Sequence, residues 1–161
     1  MIQTLGFVSL VHVFINVYEY AMHTFLHYNI IKPMYRWHHR HHIDYPPSRP
    51  TSDTYINTSG PIYTNLFLQM SIPPIIIMYF LLSRYYYCIF TIQSFTYLYT
   101  MNYLHIQYHL NSSWLDEYKW FRRNKEYHIL HHKKYRKNFR ENYDLDIDSL
   151  RRRSHHYHVE I

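Results

Sequence analysis

Three stretches of the chain are apolar, and each meets polar residues in its own way. From Leu5 to Tyr18 only Ser9, His12 and Asn16 interrupt the first, and the helical pattern runs on to about Ile31. His12, Asn16, Glu19, His23 and His27 follow one another at steps of three or four, so on a helix they form one stripe. Such a stripe must face protein or water, because polar groups in hydrocarbon are costly. Ile62 to Leu82 is uncharged over 21 residues, about 30 Å as a helix and enough for a bilayer core. Pro73-Pro74 should kink it, which membrane helices tolerate. Ser83 and Arg84 leave room for a tight turn, and Tyr85 to Leu104 then returns as the second arm of an antiparallel hairpin.

The rest of the chain is polar and punctuated. Pro33 marks a boundary before a second histidine-bearing helix, Met34 to His42. Asp44 to Pro61 holds four of the seven prolines and reads as a loop. Ser113 and Asp116 have capping-box spacing. Trp114, Trp120 and Phe121, mixed with Lys and Arg, predict a helix lying in the membrane interface and running on through His128 to His132. The predicted fold is all-α: an integral membrane bundle of about three spanning segments, capped by cytosolic helices that carry the histidines. Residues 1–140 form this domain, and 141–161 a charged, loosely ordered tail.

The net charge of +6 changes the picture only through its distribution. No Lys or Arg precedes Lys32, and Arg84 alone falls between Arg49 and Lys119. That spacing fits a membrane protein better than a nucleic-acid groove. With one crossing by the first helix and two by the hairpin, sixteen of the seventeen Lys and Arg lie on the side of the clustered histidines. The positive-inside rule makes that side cytosolic. The single cysteine, Cys88, excludes an internal disulfide and a thiolate zinc site. The first residues carry no basic segment or small-residue cleavage site, so no removable signal peptide is expected.

Ten of the fifteen histidines repeat one arrangement. A His-x-x-x-His pair, His23/His27 or His105/His109, is followed by His-x-x-His-His, His38/His41/His42 or His128/His131/His132. At this histidine frequency about 0.1 copies of the longer pattern are expected by chance, and two are present. On helices each group points its imidazoles one way. Neutral imidazole suits iron, zinc and copper. Ten donors are too many for one ion and reasonable for two, at about five each. No carboxylate lies within the groups, which excludes the Glu-x-x-His di-metal bundle, and no His-Glu-x-x-His occurs. Groups just outside the ligands fix their tautomers. Glu19, one turn before His23, and Asn102, three residues before His105, are the candidates. A dinuclear centre at the mouth of an apolar bundle fits O2 chemistry on a lipid.

These motifs resemble the fatty acid hydroxylase/sterol desaturase superfamily of membrane di-iron oxygenases. The matching residues are Glu19-Tyr20-x-x-His23 with His27, then His38 to His42 with Tyr45-Pro46. They continue with His105-x-x-x-His109 and Tyr127-His128-x-x-His131-His132, before Asn138-Phe139. The resemblance implies that the ten histidines bind two iron ions. It implies a reaction that consumes O2 and two external electrons to hydroxylate or desaturate a fatty acyl chain or sterol in lipid biosynthesis. It also implies an endoplasmic reticulum location and a separate electron donor such as cytochrome b5. A non-catalytic or transport-type metal-binding membrane protein is the alternative. Transport is disfavoured because Ile62 to Leu82 offers no carboxylate or histidine to line a crossing.

Overall fold

The computed structural model describes residues 2–56 and 66–134, with side chains from residue 70 onward in the second stretch. Five α-helices appear, with no strand among the described residues: α1 (Ile2–His27), α2 (Lys32–Asp44), α3 (Leu66–Leu81), α4 (Arg84–Tyr108) and α5 (Lys119–Lys133). The expected tail and residues 57–65 lie outside the described residues.

α1 ends at His27 rather than near Ile31. Asn29 takes a left-handed conformation (φ 56°), which stops the helix. α2 then opens with Pro33 in its first turn, where the missing N–H costs nothing. It runs through Asp44, so the loop expected from that residue begins one residue later. Both prolines of the second apolar stretch sit inside α3. Only Leu82 and Ser83 separate α3 from α4, the tight turn the sequence calls for. The segment after Asn111 is not one helix. Trp114–Glu117 forms a 3-10 turn, and α5 starts afresh after Tyr118, whose backbone is extended. The capping box does form: the Ser113 Oγ accepts from the Leu115 N–H at 3.2 Å, and the Asp116 carboxylate accepts from the Ser113 N–H at 2.7 Å.

α1, α3 and α4 pack lengthwise around a core of Val11, Ile15 and Phe90. The start of α1 lies beside the start of α4, with the Phe7 and Tyr86 rings 4.6 Å apart. The Leu82-Ser83 turn and Arg84 are therefore at one end of the bundle. The end of α1, α2, the end of α4 and α5 gather at the other. A second core of Met101, Leu104, Tyr108, Leu115 and Phe121 lies there, under α5. α1 alone among the described helices is both long and apolar enough to cross a membrane; the expected second and third spans correspond to α3, a shorter apolar helix, and α4.

Candidate metal centre

All ten predicted histidines converge, and none is more than 7% exposed. Helix periodicity explains the delivery. His23 and His27 extend a face of α1 that is already buried at Val11, Ile15 and Glu19. His38, His41 and His42 are the buried residues of α2, and His128, His131 and His132 are the buried histidines of α5. His105 lies in the last turn of α4, and His109 is its C-cap.

The imidazoles sort into two groups in a way that spacing alone does not reveal. His23, His27, His38 and His131 form one group, and His41, His105, His109 and His128 the other. Within each, one ring nitrogen per residue lies within 4.8 Å of all the others. α1 thus serves one group and α4 the second, while α2 and α5 each give a residue to both. His42 and His132 lie outside these fours. His42 packs on His27, His38 and His131, at centroid distances of 5.1, 4.8 and 4.9 Å. His132 packs on His41, His109 and His128, at 4.9, 4.7 and 4.9 Å. The two rings meet 4.2 Å apart, so each group has a fifth imidazole at the boundary between them.

The nitrogen spacings fit metal ligation. In the first group the Nε2 atoms of His23 and His38, His27 and His23, and His38 and His27 are 3.2, 3.4 and 2.8 Å apart. In the second, His109 Nε2 is 3.0 Å from His41 Nε2 and 2.8 Å from His128 Nε2. Ligands about 2.0–2.1 Å from a common ion stand roughly 2.9–3.4 Å apart in octahedral or tetrahedral geometry. Hydrogen bonding among neutral imidazoles cannot account for three nitrogens pointing at one spot, since each ring carries a single N–H.

The electrostatics supply lone pairs. Burial first, then the neighbouring imidazoles, hold His38, His41 and His128 well below the usual imidazole range. His109 is also held well below it by burial and by His105 and His132, against the pull of the Pro50 carbonyl. Burial likewise lowers His42, and brings His132 down to about 3. Two tautomers follow from geometry. His109 Nδ1 lies 2.8 Å from the Pro50 carbonyl, and His132 Nδ1 lies 2.8 Å from the Tyr45 carbonyl. A carbonyl only accepts, so each Nδ1 carries the hydrogen and each Nε2 keeps its lone pair. The His132 Nε2 is buried without a hydrogen-bond partner, as a donor reserved for a metal would be.

Glu19 is buried, with Oε1 3.9 Å from His23 Nδ1, where an orienting carboxylate is expected. Asn102 is half-buried and makes no hydrogen bond to His105.

The loop that follows α2 is expected from the sequence, but its part in the centre is not. It supplies the Tyr45 and Pro50 carbonyls, stacks the Tyr45 ring on His109 at 3.9 Å, and is pinned by the Tyr45 hydroxyl, which accepts from the Ile56 N–H at 2.6 Å. Ser52 joins it to the end of α4 through the His109 carbonyl (2.9 Å) and the Asn111 N–H (2.8 Å). Tyr45-Pro46 is the only sequence signal for any of this.

Among curated proteins and among solved structures, none matches the chain. A family model for fatty acid hydroxylases matches residues 8–159, a range that includes all ten buried histidines and Glu19. A match over nearly the whole length, with a donor set able to hold two metal ions, means that the chain belongs to the fatty acid hydroxylase family.

Proposed function

We propose that the protein is a membrane-bound di-iron oxygenase that uses O2 and two external electrons to hydroxylate or desaturate a lipid. The observation that carries this reading is the pair of buried all-histidine groups, each with a fifth imidazole at the common boundary. His23, His27, His38, His131 and His42 would hold one iron. His41, His105, His109, His128 and His132 would hold the other. Bound there, the iron pair supplies the reduction of O2 and an oxidant able to take hydrogen from an unactivated carbon.

The chain's own residues do the remaining work. The Tyr45 and Pro50 carbonyls fix the tautomers of His132 and His109, and the Glu19 carboxylate stands 3.9 Å from His23 Nδ1. Tyr45, Met101, Tyr108 and Phe121 are fully buried and keep water from the centre. α1, α3 and α4 make three crossings. Every described Lys and Arg except Arg84 lies on α2, on α5 or in the segments that flank them, which supports a cytosolic metal centre in a multi-pass protein of the endoplasmic reticulum. Lys119, Arg122 and Arg123, exposed on α5, suit an acidic electron donor such as cytochrome b5. The substrate is a fatty acyl chain or a sterol.

Lipid analysis of cells expressing the wild type or His131→Ala at equal protein level tests this. The expected result is an oxidised lipid in wild-type cells alone. Identical lipid profiles in the two would reject the enzyme.

A further inference from the structure

An open groove runs along the outer seam between α1 and α4, lined among others by Val8, Ile89, Ile92 and Thr96. Behind it, inside the bundle, is a narrow chamber bordered by Phe14, Tyr18, Glu19 and Ser94. Ile15 and Tyr97 line both, so these two side chains are the partition. The chamber ends at Glu19, whose carboxylate is 3.9 Å from His23 of the first histidine group. Groove, partition and chamber thus lie in sequence between the outer surface and the metal centre.

The walls suit an apolar guest. Two polar side chains of the groove turn onto backbone: the Gln93 amide donates to the Val8 carbonyl at 3.0 Å, and the Thr96 hydroxyl to the Ile92 carbonyl at 2.9 Å. A third, the His12 imidazole, pairs with the Asn16 side-chain amide at 3.3 Å. What remains for a guest is mostly hydrocarbon. The partition is movable at one residue. Tyr97 is half-buried and packs against both helical cores, and its hydroxyl donates to Asn16 Oδ1 in a long bond of 3.4 Å. A second groove, between α1 and α3, also abuts the chamber, but Phe14 and Phe90 divide them. Phe90 is only 2% exposed and its ring lies 6.0 Å from Phe14, so opening that wall would break the core.

We propose that the α1–α4 groove and the chamber behind it are a lateral entry path by which an unbranched alkyl chain passes from the bilayer to the first histidine group, with Ile15 and Tyr97 as its gate. This rests on the reading of the protein as a lipid oxygenase. Size selects the guest. The groove has a volume of about 480 Å³ and the chamber about 40 Å³. Single-file methylenes can thread such a chamber after a side-chain shift, whereas a fused-ring lipid cannot. Along α1, Val8 to His23 is about 22 Å at 1.5 Å per residue, so the guest lies extended along the helix pair.

The test uses the full chain in membranes and a photoactivatable diazirine fatty acid, with crosslinks mapped by mass spectrometry. Labelling is expected on Ile89, Ile92 and neighbouring groove residues. Thr96→Trp should lose both labelling and lipid oxidation while metal content stays at the wild-type level. Leu10→Trp, which adds the same bulk to the α1–α3 groove, should keep both. Labelling confined to the α1–α3 groove, undiminished labelling of Thr96→Trp, or equal labelling by a diazirine sterol would overturn the path. Groove labelling in a wild type that oxidises no lipid would leave the path standing and defeat the oxygenase reading instead.

Discussion

His39 and His132 are both helix-borne imidazoles, one turned outward and one inward. His39 is exposed and stacks on Tyr35, with centroids 5.5 Å apart and rings nearly parallel. About 100° of helix separates each residue from the next, so it cannot share the face of His38, His41 and His42. His132 offers a buried Nε2 lone pair on a ring fixed by the Tyr45 carbonyl. Replacing His39 by Ala should leave iron content and turnover near wild type, whereas His132→Ala should lower occupancy and abolish turnover. Metal analysis of the two purified variants checks this, and equal losses would contradict it. The same burial sets a pH dependence for the metal-free protein. His132 is pulled down to about 3 by burial, so the native state keeps it neutral well below the range in which the unfolded chain titrates. Below about pH 6.5 the unfolded state therefore binds a proton that the native state does not, and stability falls as pH falls. Each such group contributes a slope of about 1.4 kcal/mol per pH unit. Denaturant unfolding of chelator-stripped protein should show a lower midpoint at pH 5 than at pH 7.5; equal midpoints would count against neutral buried imidazoles.

Among the elements, the 3-10 turn at Trp114–Glu117 sets where α5 begins. The Ser113 hydroxyl accepts from the Leu115 N–H and donates to Gln107 Oε1 at 2.7 Å, tying the turn to α4. Asp116 holds Lys125 of α5 at 2.9 Å. Ser113→Ala removes a cap and a cross-link, and should cost about 1 kcal/mol or somewhat more; a fall in Tm with iron content preserved is the expected result. The capping spacing was legible in the sequence, but the break at Tyr118 was not, because nothing in Tyr-Lys-Trp marks an extended residue. Likewise the three-to-four spacing of Glu19, His23 and His27 revealed a buried face, while the stop at Asn29 needed a left-handed backbone that asparagine permits without demanding. The histidines themselves were legible, since His-x-x-His-His fixes a shared face. Which group each joins was not, because α2 and α5 divide their residues between two groups. The Tyr45 and Pro50 carbonyls left no trace either, as a backbone acceptor has no residue code.

At the scale of the whole molecule, Arg84 and the start of α1 occupy one end and every histidine of the two groups the other. With α1, α3 and α4 as three crossings, glycosylation tags inserted beside Ser83 and appended after Ile161 should report opposite sides, with only the Ser83 tag modified. Modification of both would break the hairpin topology. The central claim is narrower: two separate all-imidazole sites within one bundle. X-ray absorption joined to metal analysis of the iron-loaded, purified protein tests it most directly. The account predicts two irons per chain, each with nitrogen or oxygen scatterers at roughly 2.0–2.2 Å. One tightly held metal per chain, or a sulfur scatterer in the shell, would contradict it.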